Sequence, residues 1–270
     1  MKNELETLRL QKNIAGFTSE QLMWMLKHLG DEDGAVRDEL VTALFARGFE
    51  EHILTDKQKK QIIQYLIDNN CLFQAINEKS DKVYLRSFTA LLISIILEDD
   101  ARTRFLNNEQ VAYFFKLANT YIFAEKDFRG YDSTNGWGHA LAHASDLLVS
   151  AMRHPDYELQ VAEFFGNLEE LILHIQQPLF DNEAKRLGRV LNQAFKMPNL
   201  TGNDFIYYCD RIDRVCWQKH QQVKDPQPDY CLDFWIETLN AVFFISDVHD
   251  LKEYCDMKVQ NYYTNLGYQG

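Results

Sequence analysis

The chain has 270 residues, 46% of them hydrophobic and 25% charged, which is the make-up of a globular protein long enough to bury a sizeable core. A formal net charge of −12 argues against nucleic-acid backbones and anionic membranes as main partners, because both recruit basic patches. The start, MKNELETLRLQKN, lacks the apolar core of a signal peptide, and the longest apolar run, Ala90 to Leu97, is too short to span a bilayer. The expectation is a cytoplasmic protein. Five scattered cysteines with no CxxC pair are expected to be reduced, buried thiols.

Helix signals follow one another along the chain, and no segment alternates as a half-buried strand would. Thr18 with Gln21 forms a capping box for TSEQLMWMLKHLG, which Gly30 ends. Asp33 can cap DGAVRDELVTALFARG, where Val36 packs inward and Arg37 can ladder to neighbouring carboxylates. Thr55 with Gln58 opens the next helix. Asp81 opens DKVYLRSFTALLISIILEDD, apolar on nearly all sides and therefore central. Asn108 opens a further helix. Later starts fall at Asp156, Asn182, Thr201 (to about Lys224) and Asp229, with a helical tail from His249 to Tyr263. Starts of alternate helices are spaced by about 45 residues, the length of a two-helix repeat of the HEAT kind. The expected fold is therefore all-α, with antiparallel helix pairs stacked as one superhelical domain over residues 1–270. A closed α/α toroid is the alternative.

The densest cluster of unusual residues lies in EKDFRGYDSTNGWGHALAHASDLLVSAMRHP, residues 125–155. With Thr134 or Asn135 as N-cap and Pro155 as limit, the spacing predicts a helix from about Asn135 to Arg153. Trp137, Leu141, Ala144, Leu148 and Met152 then form an apolar stripe. His139, His143, Asp146 and Ser150 share the opposite face. Two imidazoles at i and i+4 with a carboxylate one turn on can ligate a divalent metal or run proton transfer. The same groups can instead form a hydrogen-bonded network to the next helix. The HExxH pattern of zinc proteases is absent.

DGAVRDEL, YLRSFTALLISIILEDD and above all the GWGHALAHASD stretch resemble a bacterial family classed only as domain of unknown function 2785. The resemblance covers Asp33 to Asp181. Arg129, Gly130, Gly136, Trp137, His139, Ala140, Ala142, His143 and Asp146 fit its central signature, RG followed by GW-x-HA-x-AH-x-x-D. PLFDNEAKRLGRVL fits loosely, with Phe180 or Asp181 where the family's histidine is expected. The resemblance implies a fold and the location of a site, and no activity.

Further candidates surround that stretch. Arg86 lies in an apolar helix and needs a partner or a route to solvent, with Asp146 or Asp132 as candidate partners. Arg129 and Tyr131 sit on a loop that can fold over the start of the signature helix, where an anion or carboxylate could dock beside Trp137 and His139. Cys209, Asp213, Cys216 and His220 share one helical face, but four ligands along three turns cannot all reach one ion. The aromatic runs VAYFF and AVFFIS can line a groove or a dimer interface. The function expected is a binding scaffold for a protein segment or a small ligand, anionic in character, with a pocket at Trp137, His139, His143, Asp146, Arg129, Tyr131 and Arg86. The alternative is a metal-dependent enzyme, such as a hydrolase, using His139, His143 and Asp146.

Overall fold

The computed structural model describes residues 1–222 and 229–268. Contacts divide the chain into two units, Met1–Pro155 and Asp156–Gly270. The first holds α1 (Lys2–Leu10), α2 (Ser19–Lys27), a π-helical segment (Ala35–Thr42) running into α3 (Ala43–Glu50), α4 (Asp56–Asp68) and a 3₁₀ turn (Cys71–Phe73). It continues with α5 (Lys82–Thr103), α6 (Asn108–Ala124), a hairpin of β1 (Tyr131–Asp132) and β2 (Gly136–Trp137), and α7 (Ala140–Arg153). The second holds α8 (Val161–Leu173), α9 (Glu183–Phe195), α10 (Gly202–His220), α11 (Tyr230–Ile245) and α12 (His249–Asn265). The fold is all-α apart from the two-residue strands.

Local chemistry sets most of the helix starts. Thr18 and Thr55 accept from the backbone amides of Gln21 and Gln58, whose side chains return the bond. Asn107, not Asn108, caps α6 through a capping box with Gln110. Asp33 accepts from the amide of Ala35, Thr201 from Asp204, and Asp229 from Cys231 and Leu232. Two expected starts fail. Asp156 is not the N-cap of α8, because residues 156–160 stay non-helical with Tyr157 and Leu159 buried, and α8 begins at Val161 after Gln160. The signature helix begins at Ala140 rather than Asn135, for reasons given below. The expected end of α10 near Lys224 lies outside the described residues.

α5 is the centre of the first unit. Fourteen of its residues are buried, among them Val83, Phe88, Ile93, Ile96 and Leu97. Arg86, near its start, reaches Glu125 just past the end of α6, so α5 and α6 run antiparallel. Ser87 meets His143 and Ser94 meets Ser150, each pair 56 residues apart, so α5 and α7 run parallel.

The second unit repeats the scheme. α8 and α10 are joined by Glu169–Arg211 and by the Leu173 carbonyl with Lys219, 42 and 46 residues apart. α10 and α12 are joined by Asp210–Tyr254 and Asp213–Lys258, 44 and 45 apart. A near-constant offset of like sign means parallel axes, and the offset reproduces the spacing of about 45 residues read from the sequence. The pairs α5–α7, α8–α10 and α10–α12 are therefore parallel, the arrangement that successive helix hairpins produce within each unit.

Candidate functional site

The chain leaves α6 through Glu125 and returns to α7 through a hairpin whose geometry explains the late helix start. Asp132 accepts from the amides of Thr134 and Asn135, both at 2.8 Å, closing a tight turn. Those two bonds hold the Asp132 carboxyl below its ordinary pKa. The turn is completed by Gly136 at φ +74°. Tyr131 pairs with Trp137 and Asp132 with Gly136 across the strands. Gly138 then passes so close to Arg129 that an added Cβ would stand 2.6 Å from the Arg129 carbonyl oxygen. The Gly138 amide donates to the Gly130 carbonyl, and His139 to that of Arg129. His139 is left-handed, φ +52°, and is the N-cap residue of α7. It lies outside the helix.

Beneath the hairpin sits Arg37 from the π-helical segment, fully buried. Its guanidinium donates to the carbonyls of Asn135 (2.7 Å) and Trp137 (2.9 Å), and to those of Asp31 (2.5 Å) and Glu32 (3.2 Å). It also lies over the rings of Tyr84 (4.2 Å) and Phe88 (4.9 Å). The expected ladder from Arg37 to carboxylates is replaced by carbonyls and aromatic faces. Burial lowers its pKa.

Rings continue outward from there. Phe88 meets His143 edge-on at 5.0 Å, His143 and His139 are 5.7 Å apart, and His139 stacks on Trp137 at 4.1 Å and 16°. Tyr131 abuts Trp137 at 4.9 Å and is 60% exposed. The ladder therefore runs from the buried cation to solvent.

His143 takes its place through Ser87, whose hydroxyl bonds both the Gly138 carbonyl and His143 Nδ1. A carbonyl can only accept, so the single hydroxyl proton goes to Gly138 and Nδ1 must carry its own proton toward Ser87. The face expected to present His143 and Ser150 thus turns toward α5 as a polar seam. Ser94–Ser150 at 2.8 Å, Ser150–Glu98 at 2.9 Å and Asp100–His154 at 3.0 Å extend it to the far end of α7. Asp146 is half-buried.

The arginines are committed elsewhere. Arg86 pairs with Glu125, not with Asp146 or Asp132, through bonds of 2.7 and 2.9 Å. It does not snorkel, since both side chains are fully buried. Glu125 also accepts from the Tyr121 hydroxyl and from the amides of Lys126 and Asp127. Burial opposes the Arg86 charge, but the bonds to Glu125 outweigh it and leave its pKa raised. Arg129 forks onto Asp127 and reaches Asp81 at 2.8 Å, and chiefly the bonds to Asp127 raise its pKa.

Among the described residues, no three of His, Cys, Asp and Glu are placed to hold a metal ion, so His139, His143 and Asp146 do not form such a set. The reason is local: His139 leaves the helix, so the i, i+4 spacing that would bring its ring beside His143 on one helical face is lost. Cys216 pairs with Cys231 across 3.5 Å, Asp213 with Lys258, and His220 with Asp229. Among the described residues, no helix is long and apolar enough to cross a membrane. The sequence reading gives Arg37 the wrong partners and leaves out Glu125 as the partner of Arg86. Arg37 was visible as a charge on an inward-packing helix, and Glu125 as the acid closing α6.

A seamed pair of parallel helices carrying a cation-backed aromatic hairpin is thus the class of site this fold defines. The chain belongs to the family described as Protein of unknown function (DUF2785), whose model matches residues 72–244. The match runs on through most of α11 and begins after the segment that supplies Arg37. No curated protein and no solved structure matches the chain.

Proposed function

We propose that this chain is a non-catalytic binding protein of stacked helix hairpins, and that its recognition element is the ladder Tyr131–Trp137–His139, which receives a segment of another polypeptide. The observation that carries the reading is the ladder itself: exposed at Tyr131 and fixed underneath by Arg37. Exposed aromatic rings on a rigid turn give contact area at small entropic cost, which suits a binding surface. The groups that could do chemistry support the same reading. Glu125, Arg86, Arg129 and Ser87 each serve a neighbour within the fold. A polypeptide segment fits better than a small anion, since Arg129 already bridges Asp127 and Asp81.

The test is affinity capture with wild-type chain and with Tyr131→Ser, matched for thermal stability. A polypeptide retained by the wild type and lost from the variant is the expected result. Equal retention by both, or turnover of a substrate that requires His143, would overturn the reading.

A further inference from the structure

Two thiols of the second unit face each other at the junction of α10 and α11. Cys216 lies one turn before the end of α10, and Cys231 lies in the first turn of α11. Their sulfurs stand 3.5 Å apart, and both side chains are fully buried. His220 Nδ1 and Asp229, 3.0 Å apart, fasten the same two helix ends, so the meeting of the sulfurs is fixed by the packing of the helices. A disulfide holds its sulfurs about 2 Å apart, a closure that rotation of the two side chains supplies.

The surroundings of this pair differ from those of the other cysteines. The hydrogen bond with Cys216 holds Cys231 below the ordinary thiol pKa, against the effect of burial, and Lys219 adds to it. The same bond, with burial, pushes Cys216 well up, so the first proton to leave is that of Cys231. Burial pushes Cys71, Cys209 and Cys255 upward as well. The thiolate is the reactive form of cysteine. One sulfur of the pair is thus set to attack, and the other is in position to resolve the product.

We infer that Cys216 and Cys231 form a modification site, a dithiol that hydrogen peroxide converts to a disulfide and a dithiol reductant restores. The Cys231 thiolate attacks one peroxide oxygen, forming an S–O bond as the O–O bond breaks. The departing hydroxide takes up the proton that Cys231 released and leaves as water. Cys216 then attacks the sulfur of that sulfenic acid. The S–S bond forms, the S–O bond breaks, and the second hydroxide leaves as water with the Cys216 proton. The two sulfurs together lose two electrons, which the peroxide gains. Entry of so small an oxidant needs only local opening, which costs least in the terminal turn of a helix, where Cys231 stands.

The experiment uses the reduced full-length chain, freed of reductant and treated near neutral pH with a small excess of hydrogen peroxide. The remaining thiols are blocked, and the unreduced digest is mapped by mass spectrometry. A peptide linked through Cys216 and Cys231 is expected, with two of the five thiols lost and both recovered after dithiothreitol. It should form at least about tenfold faster than Cys71 or Cys255 is oxidised, the net of their smaller thiolate fraction and greater intrinsic nucleophilicity. Cys216→Ser keeps a hydrogen-bond donor but removes the resolving sulfur, so dimedone should then trap a sulfenic acid at Cys231. In Cys231→Ser, Cys216 should stay reduced. The inference is overturned by a native chain that keeps all its thiols, by linkage through any other pair, or by a dimedone adduct on Cys216 in Cys231→Ser.

Discussion

Replacing Arg37 by Met keeps the volume and removes the cation. Four bonds from a charged donor to carbonyl oxygens disappear, each worth roughly 1.5 kcal/mol. Relief from burying the charge offsets about half of that sum. The expected loss is therefore about 3 kcal/mol, which for a unit of this size lowers Tm by roughly 6–12 °C. Arg37→Lys should recover little of it, because one ammonium cannot span Asp31 and Glu32 on one side and Asn135 and Trp137 on the other. The assay is thermal and urea unfolding, with amide exchange at Gly138 and His139 as a local readout. Protection at those two amides should fall more than at α4. Stability within about 1 kcal/mol of wild type in Arg37→Met, or full recovery in Arg37→Lys, would refute the claim that the guanidinium holds the hairpin.

Ser87→Ala leaves the Gly138 carbonyl without its donor and His143 Nδ1 without its acceptor, so a loss of about 2–4 kcal/mol is expected in urea unfolding. A loss of a few tenths would contradict the seam. Glu125→Gln strands the buried Arg86 cation and should cost about 3–5 kcal/mol, while Arg86→Met combined with Glu125→Leu should cost much less than the two single changes together. Burial raises the Glu183 pKa, so its contribution to stability is present below the ordinary carboxylate range of about pH 4–5 and is lost as pH rises through the folded-state value. The stability of Glu183→Gln relative to wild type should therefore climb with pH across that window; a flat difference would contradict the assignment. Burial raises the Cys71 thiol to about 11 and Cys255 to about 12, so neither should react with iodoacetamide in the native chain near pH 8, and both should in urea.

What the sequence showed and what it hid divide along chain distance. Capping boxes at Thr18 and Thr55, and caps at Thr201 and Asp229, are written within four residues and were legible. So was the central α5, since a helix apolar all round has no solvent face. The signature helix was misjudged by five residues because its beginning is set by Asp132, the left-handed Gly136 and the approach of Gly138 to Arg129. A helical pattern cannot register those. His143 and Ser150 were recognised as a polar face, but their partners Ser87 and Ser94 lie 56 residues away, so only the fold decides that the face is a seam. The apolar setting of Arg86 calls for a partner, but Glu125 is 39 residues distant at a helix end, where local spacing does not point to it. Asp156 failed as the N-cap of α8 because Tyr157 and Leu159 are drawn into the core before a helix can start.

On the proposed reading, the exposed end of the aromatic ladder is where another polypeptide docks. A photo-crosslinking phenylalanine placed at Tyr131, with the same probe at the equally exposed Tyr207 as comparison, tests it most directly. A discrete crosslinked polypeptide is expected from position 131, absent from position 207 and lost when Trp137 is changed to Ala. Crosslinks from position 207 alone, or a product at position 131 that persists without Trp137, would contradict it.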